Sequence, residues 1–217
     1  HGADLSGVPI LSRFLSSIEN TVLKHKLIQP GERILVALSG GPDSTSLLHG
    51  LYRLYRQQNF IAAVHINHAL RGETSNRDAE WVSEHCKALK IKCLSFCITQ
   101  KQWANRSGES IQMAARRFRY SYLFEAAREL KTSRLAIGHN SDDSIETILL
   151  NLIRGSGRTG LTGIPSKRSL DIHGEEPLKP ITLIRPLIET SRTDVMEFLE
   201  KEKIPYLTDP SNNSKKY

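Results

Sequence analysis

"LVALSGGPDSTSLLHGL", Leu35 to Leu51, decides how this chain is read. A short apolar run ends in two glycines, a proline, an aspartate and a serine. Leu47, Leu48, Leu51, Leu54 and Tyr55 then recur at helical spacing. The order is buried strand, glycine turn, helix. Glycines in such a turn let backbone N–H groups approach an anion, and the helix behind them presents its positive end. Ser39 and Ser44 add hydroxyls able to donate to phosphate oxygens. Asp43 does not belong beside a phosphate unless it holds a metal or faces a cationic group. The stretch is neither a GxxxxGK[ST] loop nor a GxGxxG turn. The plain alternative is a turn in which Asp43 or Ser44 merely caps the helix.

The same alternation continues. "FIAAVHIN" (60–67), "IKCLSFCI" (91–98) and "RLAIGH" (134–139) read as further strands. Between and after them, helical stripes run through Ala79–Leu89, Ile111–Tyr122 and Ile145–Leu152. An amphipathic helix precedes the first strand, carried by Leu11, Phe14, Leu15, Ile18 and Val22, and Pro30-Gly31 is expected to stop it. The fold class is therefore α/β: an open, mainly parallel, doubly wound, Rossmann-like sheet with helices on both faces. Ser166–Pro186 carries three prolines and reads as an irregular insertion, with one more strand in "TLIRPLI". Ser191 and Asp194 suggest a capping box before a last helix near Arg192–Lys203. The expected organisation is one catalytic domain over 1–217, with an N-terminal helix in 1–32, the insertion at 166–186, and a closing helix and tail at 187–217.

Composition narrows the class. The chain has 217 residues, 39% of them hydrophobic and 24% charged, which suits a globular domain. No apolar run approaches the ~20 residues that span a bilayer, and no secretion signal opens the chain. Cys86, Cys93 and Cys97 cannot all pair and form no CxxC, so reduced thiols and a cytoplasmic location are expected. A net charge of +7 makes a polyanionic partner plausible without locating it.

The motifs carry the reading further. "SGGPDS" resembles the SGGxDS loop of the N-type ATP pyrophosphatases, which cleave ATP between the α- and β-phosphates and adenylate a substrate. "HINHALRGETSNRDAEW" from His65, "AARRFRYSYL" from Ala114, "GHNSDDSIETILLNLIRGSGRTGLTGI" from Gly138 and "IRPLIETSRTDVMEFLEKEKIPYLTDPSN" from Ile184 resemble, in order, segments of the tRNA(Ile)-lysidine synthetases. The resemblance implies a PP-loop pyrophosphatase fold and a two-step ligase reaction. Cytidine 34 of a CAU-anticodon tRNA(Ile) attacks ATP through O2, releasing diphosphate. The ε-amino group of L-lysine then displaces AMP from C2, and the lysidine formed changes codon reading from AUG to AUA. The long stretch before Arg185-Pro186 departs from the family pattern. The family's C-terminal RNA-binding region is not matched either, so weak action on whole tRNA is expected of this chain alone. The implied partners are the tRNA and lysine, with no membrane and a homodimer as one option.

Residue by residue, the resemblance places ATP against Ala37, Ser39, Gly40, Gly41, Pro42, Asp43, Ser44, His65 and Gly138. It gives catalytic roles to Asp43, Arg116, His139, Asp143 and Glu146. Asp143 and Glu146, three apart on one helix face, would hold lysine. Freeing the nucleophilic amine at neutral pH costs roughly 4–5 kcal/mol from its reference pKa of about 10.4, which a carboxylate acting as anchor and base can offset. Asp43 and Asp143 are equally open to Mg²⁺ accompanying ATP. The plain alternative is that these acids, with Asp142, only complement a helix dipole. Arg116 would stabilise charge on the α-phosphate, and Arg71, Arg117, Arg119, Arg154 and Arg158 would contact tRNA. A solvated charged face explains the arginine run as simply, and either His65 or His68 suits a buried structural role. "RGSGRTGLTG" suits a lid or a channel for an extruded base.

Three rivals remain. A tRNA-thiolating enzyme of the same superfamily would need cysteines at its site. A glutamine-dependent synthetase would need a nucleophile segment that is lacking here. A non-catalytic nucleotide-binding module would not need Asp43, Asp143 and Glu146 together.

Overall fold

The computed structural model describes residues 10–69, 73–106, 108–154, 162–170 and 180–208. The elements in chain order are α1 (Ile10–His25), β1 (Arg33–Ala37), α2 (Pro42–Tyr55), β2 (Phe60–Asn67), α3 (Glu73–Ala88) and β3 (Lys92–Cys97). These are followed by α4 (Gln100–Ala104), α5 (Ile111–Glu129), β4 (Arg134–Ala136), α6 (Ser141–Ile153), β5 (Lys167–Leu170), β6 (Ile181–Ile184) and α7 (Arg192–Lys201). The sheet has six strands in the order β3-β2-β1-β4-β6-β5. Every pairing is parallel except β5 with β6. The chain order reverses between β1 and β4, and a parallel sheet opens its ligand crevice at such a switch point.

Strand periodicity splits the core in two. Ile34 and Val36 face one layer with Phe14 and Ile18 of α1, Leu47 and Leu51 of α2, Val82 of α3 and Phe198 of α7. Leu35, between them, faces the other layer with Leu123, Ala126 and Ala127 of α5. Phe14 and Phe198 stack with centroids 4.0 Å apart, fixing α7 against α1. The doubly wound expectation holds.

Several boundaries moved. The first helix ends at His25 rather than at Pro30-Gly31. Lys26 takes a left-handed φ of 51°, and the Leu27 N–H returns to the Val22 carbonyl at 3.0 Å, a Schellman-type stop. β1 and β4 are shorter than their apolar runs, because Leu38–Gly41 and Ile137–Asn140 leave the sheet at its carboxyl edge. Ser166–Pro186 is more regular than its prolines suggested. Lys167–Leu170 pairs antiparallel with Ile181–Ile184, while 171–179 lies outside the described residues. β5 is mostly exposed, so it shows no apolar alternation to read. At α7, Ser191 caps the Asp194 N–H at 3.1 Å. The Asp194 carboxylate accepts the Ser191 hydroxyl at 2.6 Å instead of the Ser191 N–H, so the capping box is incomplete.

Candidate active site

Two strand-to-helix turns meet at the switch point: Leu38–Gly41 between β1 and α2, and Ile137–Asn140 between β4 and α6. Between them lies a cleft of about 780 Å³, within the range of small-molecule sites.

The first turn is held by its own hydroxyls. The Ser44 hydroxyl donates to the Gly41 carbonyl at 3.1 Å, accepts the Ser39 N–H at 3.1 Å and lies 3.0 Å from the Ser39 hydroxyl. Thr45 fixes the Gly40 carbonyl at 3.0 Å. Ser44 is thus committed to the loop, while Ser39 is exposed at the cleft. The glycines serve different ends. Gly40 has φ +88°, and a Cβ there would stand 2.6 Å from Leu207 Cδ1. The Leu207 N–H also donates to the Gly40 carbonyl at 2.8 Å, so the segment after α7 seats the loop. Gly41 is ordinary in φ (−68°), and a Cβ there would meet only Ser39 Oγ, at 3.5 Å. It is the N-cap of α2, and no side chain caps that helix. Pro42 follows in the first turn, where its missing N–H costs nothing.

The second turn is closed. Asn140, fully buried, caps α6 by accepting the Asp143 N–H at 3.1 Å, and Asp143 accepts the Asn140 N–H at 2.9 Å. This is a capping box. The Asn140 amide also donates to Asp43 Oδ1 at 2.8 Å, across 97 positions of sequence. One asparagine therefore positions both acids. Gly138 permits the approach: a Cβ there would lie 2.9 Å from the Asp43 carbonyl carbon and 3.0 Å from the Ser44 nitrogen. Burial raises the Asp43 pKa above the usual carboxylate value and nearby Asp143 adds to that, against the lowering effects of Asn140 and Arg192. Arg192 stands 3.9 Å away, its own N–H held by Asp142 at 2.8 Å.

The sequence-derived residues divide accordingly. Ala37, Ser39, Gly41, Asp43, Ser44, His65, Arg116, Arg119, Gly138, His139 and Asp143 all line the cleft. Gly40 is buried beneath it and Pro42 opens α2. Arg116 is exposed, its guanidinium 5.1 Å from the Tyr120 ring. Arg117 turns away and pairs with Glu109 at 3.0 Å. Glu146 is exposed, one turn farther along α6 than Asp143, and does not line the cleft. Arg154 ends α6 on the surface. Arg71 and Arg158 lie outside the described residues, as does most of the glycine-rich segment after α6.

His65 is buried, its Nδ1 donating to the Leu38 carbonyl at 2.9 Å. Burial lowers its pKa, and that of His68. His139 accepts from Arg185 Nε at 3.0 Å through Nδ1, so its proton sits on Nε2. Burial first, then the Arg185 charge, lowers its pKa, leaving it neutral at physiological pH. Arg185 is itself buried and donates to the Pro165 carbonyl at 2.7 Å. None of the three cysteines reaches the cleft. Cys93 packs on the α3 side of the sheet with Cys86, and its contact, together with burial, raises the Cys86 thiol pKa.

The family's sequence profile, described as a PP-loop domain, matches residues 12–217. The chain belongs to the PP-loop family. Among related proteins, this PP-loop domain is 35% identical over 204 residues to a tRNA(Ile)-lysidine synthase of Clostridium acetobutylicum, covering 94% of the chain and 42% of that protein. It is 37% identical over 194 residues to the tRNA(Ile)-lysidine synthase of Clostridium tetani, covering 89% and 39%. The chain thus spans about two-fifths of the length of the curated relatives it matches. Among solved structures, a U34-tRNA thiolase from Methanococcus maripaludis superposes with a TM-score of 0.72 at 19% identity, covering 93% of this chain and 67% of that one. An NH3-dependent NAD synthetase from Campylobacter jejuni superposes at 0.52 and 15%, covering 90% and 72%. These two likenesses speak to fold alone. No helix among the described residues is long and apolar enough to cross a membrane.

The sequence did not single out Asn140, Arg185 or Arg192. Asn140 alone carried a signal, an N-cap residue three before an acid. The other two are placed by contacts that no local pattern encodes.

Proposed function

We propose that this PP-loop domain is the catalytic part of a tRNA(Ile)-lysidine synthetase. It would bind ATP with its diphosphate end on the α2 N-terminus, adenylate O2 of cytidine 34 in a CAU anticodon with release of diphosphate, and join L-lysine to C2 with release of AMP. The observation that carries the nucleotide half is the uncapped N-terminus of α2, bordered by the exposed Ser39 hydroxyl. Its first N–H groups and the helix dipole suit a leaving diphosphate. The 33–37% identity to proteins of that name, over most of this chain, supports the substrate half.

Magnesium fits the acids. Asp43 and Asp143 each give one oxygen to Asn140, and each keeps another for a cation. Mg²⁺ is commonly held by one or two carboxylates together with substrate phosphates. Among the described residues no group of three or more His, Cys, Asp or Glu forms a self-sufficient metal site, which agrees with a cation that arrives with ATP. When bound, it would neutralise charge on the phosphates. The protein's own groups would do the rest. Arg116 and Arg119, reaching in from α5, would face the α-phosphate as negative charge grows there. His139, neutral and donating through Nε2, is a further hydrogen-bond donor on the β4 side. Lysine would enter from the exposed side of α6, with Glu146 meeting its ammonium group and Asp143 lying deeper. The carboxylate accepts the proton as the amine attacks C2. His65 keeps the β1 end in place by holding Leu38.

The test separates the two half-reactions. Glu146→Gln should leave labelled AMP accumulating on the tRNA while lysine transfer slows. Absence of the adenylated tRNA in that variant would move Glu146 to the first step. Diphosphate release with CAU tRNA, but not with the same tRNA altered at position 34, is the expected specificity. Release that ignores base 34 would contradict the lysidine reading. A thiolation reading is disfavoured because no cysteine faces the cleft.

A further inference from the structure

A cation stands where helix physics disfavours one. Arg192 is the first residue of α7, directly after the N-cap Ser191. The positive end of a helix dipole favours acids in that turn and works against a guanidinium group. Arg192 is nonetheless fixed there. Its backbone N–H donates to Asp142 Oδ2 at 2.8 Å. The Thr190 carbonyl accepts the Ser141 N–H at 3.0 Å, so the starts of α6 and α7 are tied together. From that corner the guanidinium reaches the first turn of α2, with Nη1 3.9 Å from Asp43 Oδ2.

Stability does not account for the placement. The ion pair is long, and the Arg192 side chain keeps 52% of its surface exposed. Such a pair contributes little. Arg13 shows what a structural arginine does in this fold: it locks α1 to α7 through Asp194 at 2.7 Å and Glu197 at 2.6 Å. The Arg192 guanidinium donates no hydrogen bond among the described residues, so its fork is uncommitted.

An anion at this corner would need that fork. Diphosphate on the uncapped start of α2 would face three acids, Asp43, Asp142 and Asp143. The dipole of one helix offers only roughly half a charge against them. A guanidinium adds a full charge and can grip two phosphate oxygens at once. Arg192 touches two of the three acids, Asp142 through its backbone and Asp43 through its side chain. The far end of α7 serves the same loop, because Leu207 holds the Gly40 carbonyl.

We propose that Arg192 is a diphosphate-binding residue, an arm of α7 that leaves Asp43 and takes the outer phosphates of the nucleotide at the α2 N-terminus. This rests on the reading of α2 as the diphosphate end. In the empty cleft Asp43 holds the arm at the rim. The oxygen the arm leaves is the one Asp43 keeps for magnesium, so the acid is not left unpaired. In the adenylation step, O2 of cytidine 34 bonds to the α-phosphorus and the bond to the bridging oxygen breaks. The electron pair departs with diphosphate, where Arg192 meets the charge.

Titration calorimetry with inorganic diphosphate and with AMP, each with Mg²⁺ present, tests this without turnover. Arg192→Gln should weaken diphosphate binding at least tenfold and leave AMP within about twofold, because AMP lacks the outer phosphates. Arg192→Lys keeps the charge without the fork and should fall between. Circular dichroism should be unchanged in both, since the side chain is half exposed. Diphosphate held equally by the wild type and Arg192→Gln would overturn the proposal and leave the α2 reading intact. A parallel loss of AMP binding would also overturn it, because a general field or a disturbed loop would then be the cause. A wild-type chain that binds no diphosphate would overturn the α2 reading, and the arm with it.

Discussion

The two helices that open onto the cleft begin in opposite ways. α2 starts at Gly41 with no side-chain cap, and α6 starts at Asn140 inside a full capping box. Both follow a central parallel strand, and both present a positive dipole end to the same space. Their chemistry differs because of one side chain. A glycine at the N-cap leaves the first N–H groups of α2 for an incoming anion. At α6 the Asn140 side-chain oxygen accepts the Asp143 N–H, the Thr190 carbonyl accepts the Ser141 N–H, and the Asp143 carboxylate accepts Asn140's own N–H, so that turn offers carboxylates to cations instead. The cleft has an anion-accepting end and a cation-accepting end, joined by the Asn140–Asp43 bond.

The largest way to break this pairing is at Gly138. A Cβ there would enter the space of the Asp43 backbone at 2.9 Å, with no flexible side chain to give way. Gly138→Val should cost about 1–3 kcal/mol as an overpacking change, and ATP binding should fall further than stability does. Calorimetry alongside thermal melts measures both, and tight ATP binding in this variant would contradict the geometry of the two turns.

Next comes Asn140→Ala. It removes a cap worth about 1 kcal/mol and leaves Asp43 without its amide donor. A loss of about 2 kcal/mol is expected, at the upper end of cap substitutions, together with weaker Mg–ATP binding. Urea unfolding gives the first and titration calorimetry the second.

The two acids then sharpen the contrast, because they should move stability in opposite directions. Asp143→Asn disturbs the capping box, where a hydrogen bond to a charged group contributes about 1.5–3 kcal/mol, less where solvent reaches it. It should lower the melting temperature. Asp43 has its folded-state pKa raised, chiefly by burial. A raised carboxyl pKa means the charged form is disfavoured in the folded state, a penalty present in full above the raised folded-state pKa and relieved as the pH falls from there to the ordinary carboxylate value. Asp43→Asn should therefore raise the melting temperature at pH 7, with the gain shrinking toward pH 4, while diphosphate release is lost. A lower melting temperature at pH 7 would show that Asp43 is not held at a cost.

A smaller, separate effect lies away from the cleft. His49 and His85 face each other through Nε2 at 2.9 Å, and burial with the neighbouring charges of His85 and Arg53 pushes His49 down to about 4. A histidine depressed when folded contributes stability above its ordinary pKa of about 6.5 that is lost as the pH falls toward 4. His49→Phe should flatten that part of the pH–stability curve. Equal acid sensitivity in both proteins would assign the loss elsewhere.

Much of this was legible beforehand, for physical reasons. Buried parallel strands announce themselves as apolar runs, and the glycine turn after the first one marks an anion site. What escaped was of two kinds. β5 pairs through its backbone at a sheet edge, where Lys167 and Arg168 need no apolar face. The Asn140 clamp, the Leu207 seat behind Gly40 and the Arg185–His139 bond join residues far apart in sequence. The periodicity of α6 was read correctly as a helix, but a stripe shows only that a face is apolar, not what covers it. The different uses of Gly40 and Gly41 were also invisible, since a glycine pair in sequence does not say which member bends the chain and which leaves room.

The most direct test follows backbone amide resonances of the ¹⁵N-labelled chain as inorganic diphosphate is added. The account predicts that the amides of Gly41, Asp43 and Ser44 shift early and most, while those of Ser141, Asp142 and Asp143 at the capped turn move little. Shifts centred on the α6 turn, or spread equally over both, would contradict the claim that the open helix end is where the diphosphate of ATP binds.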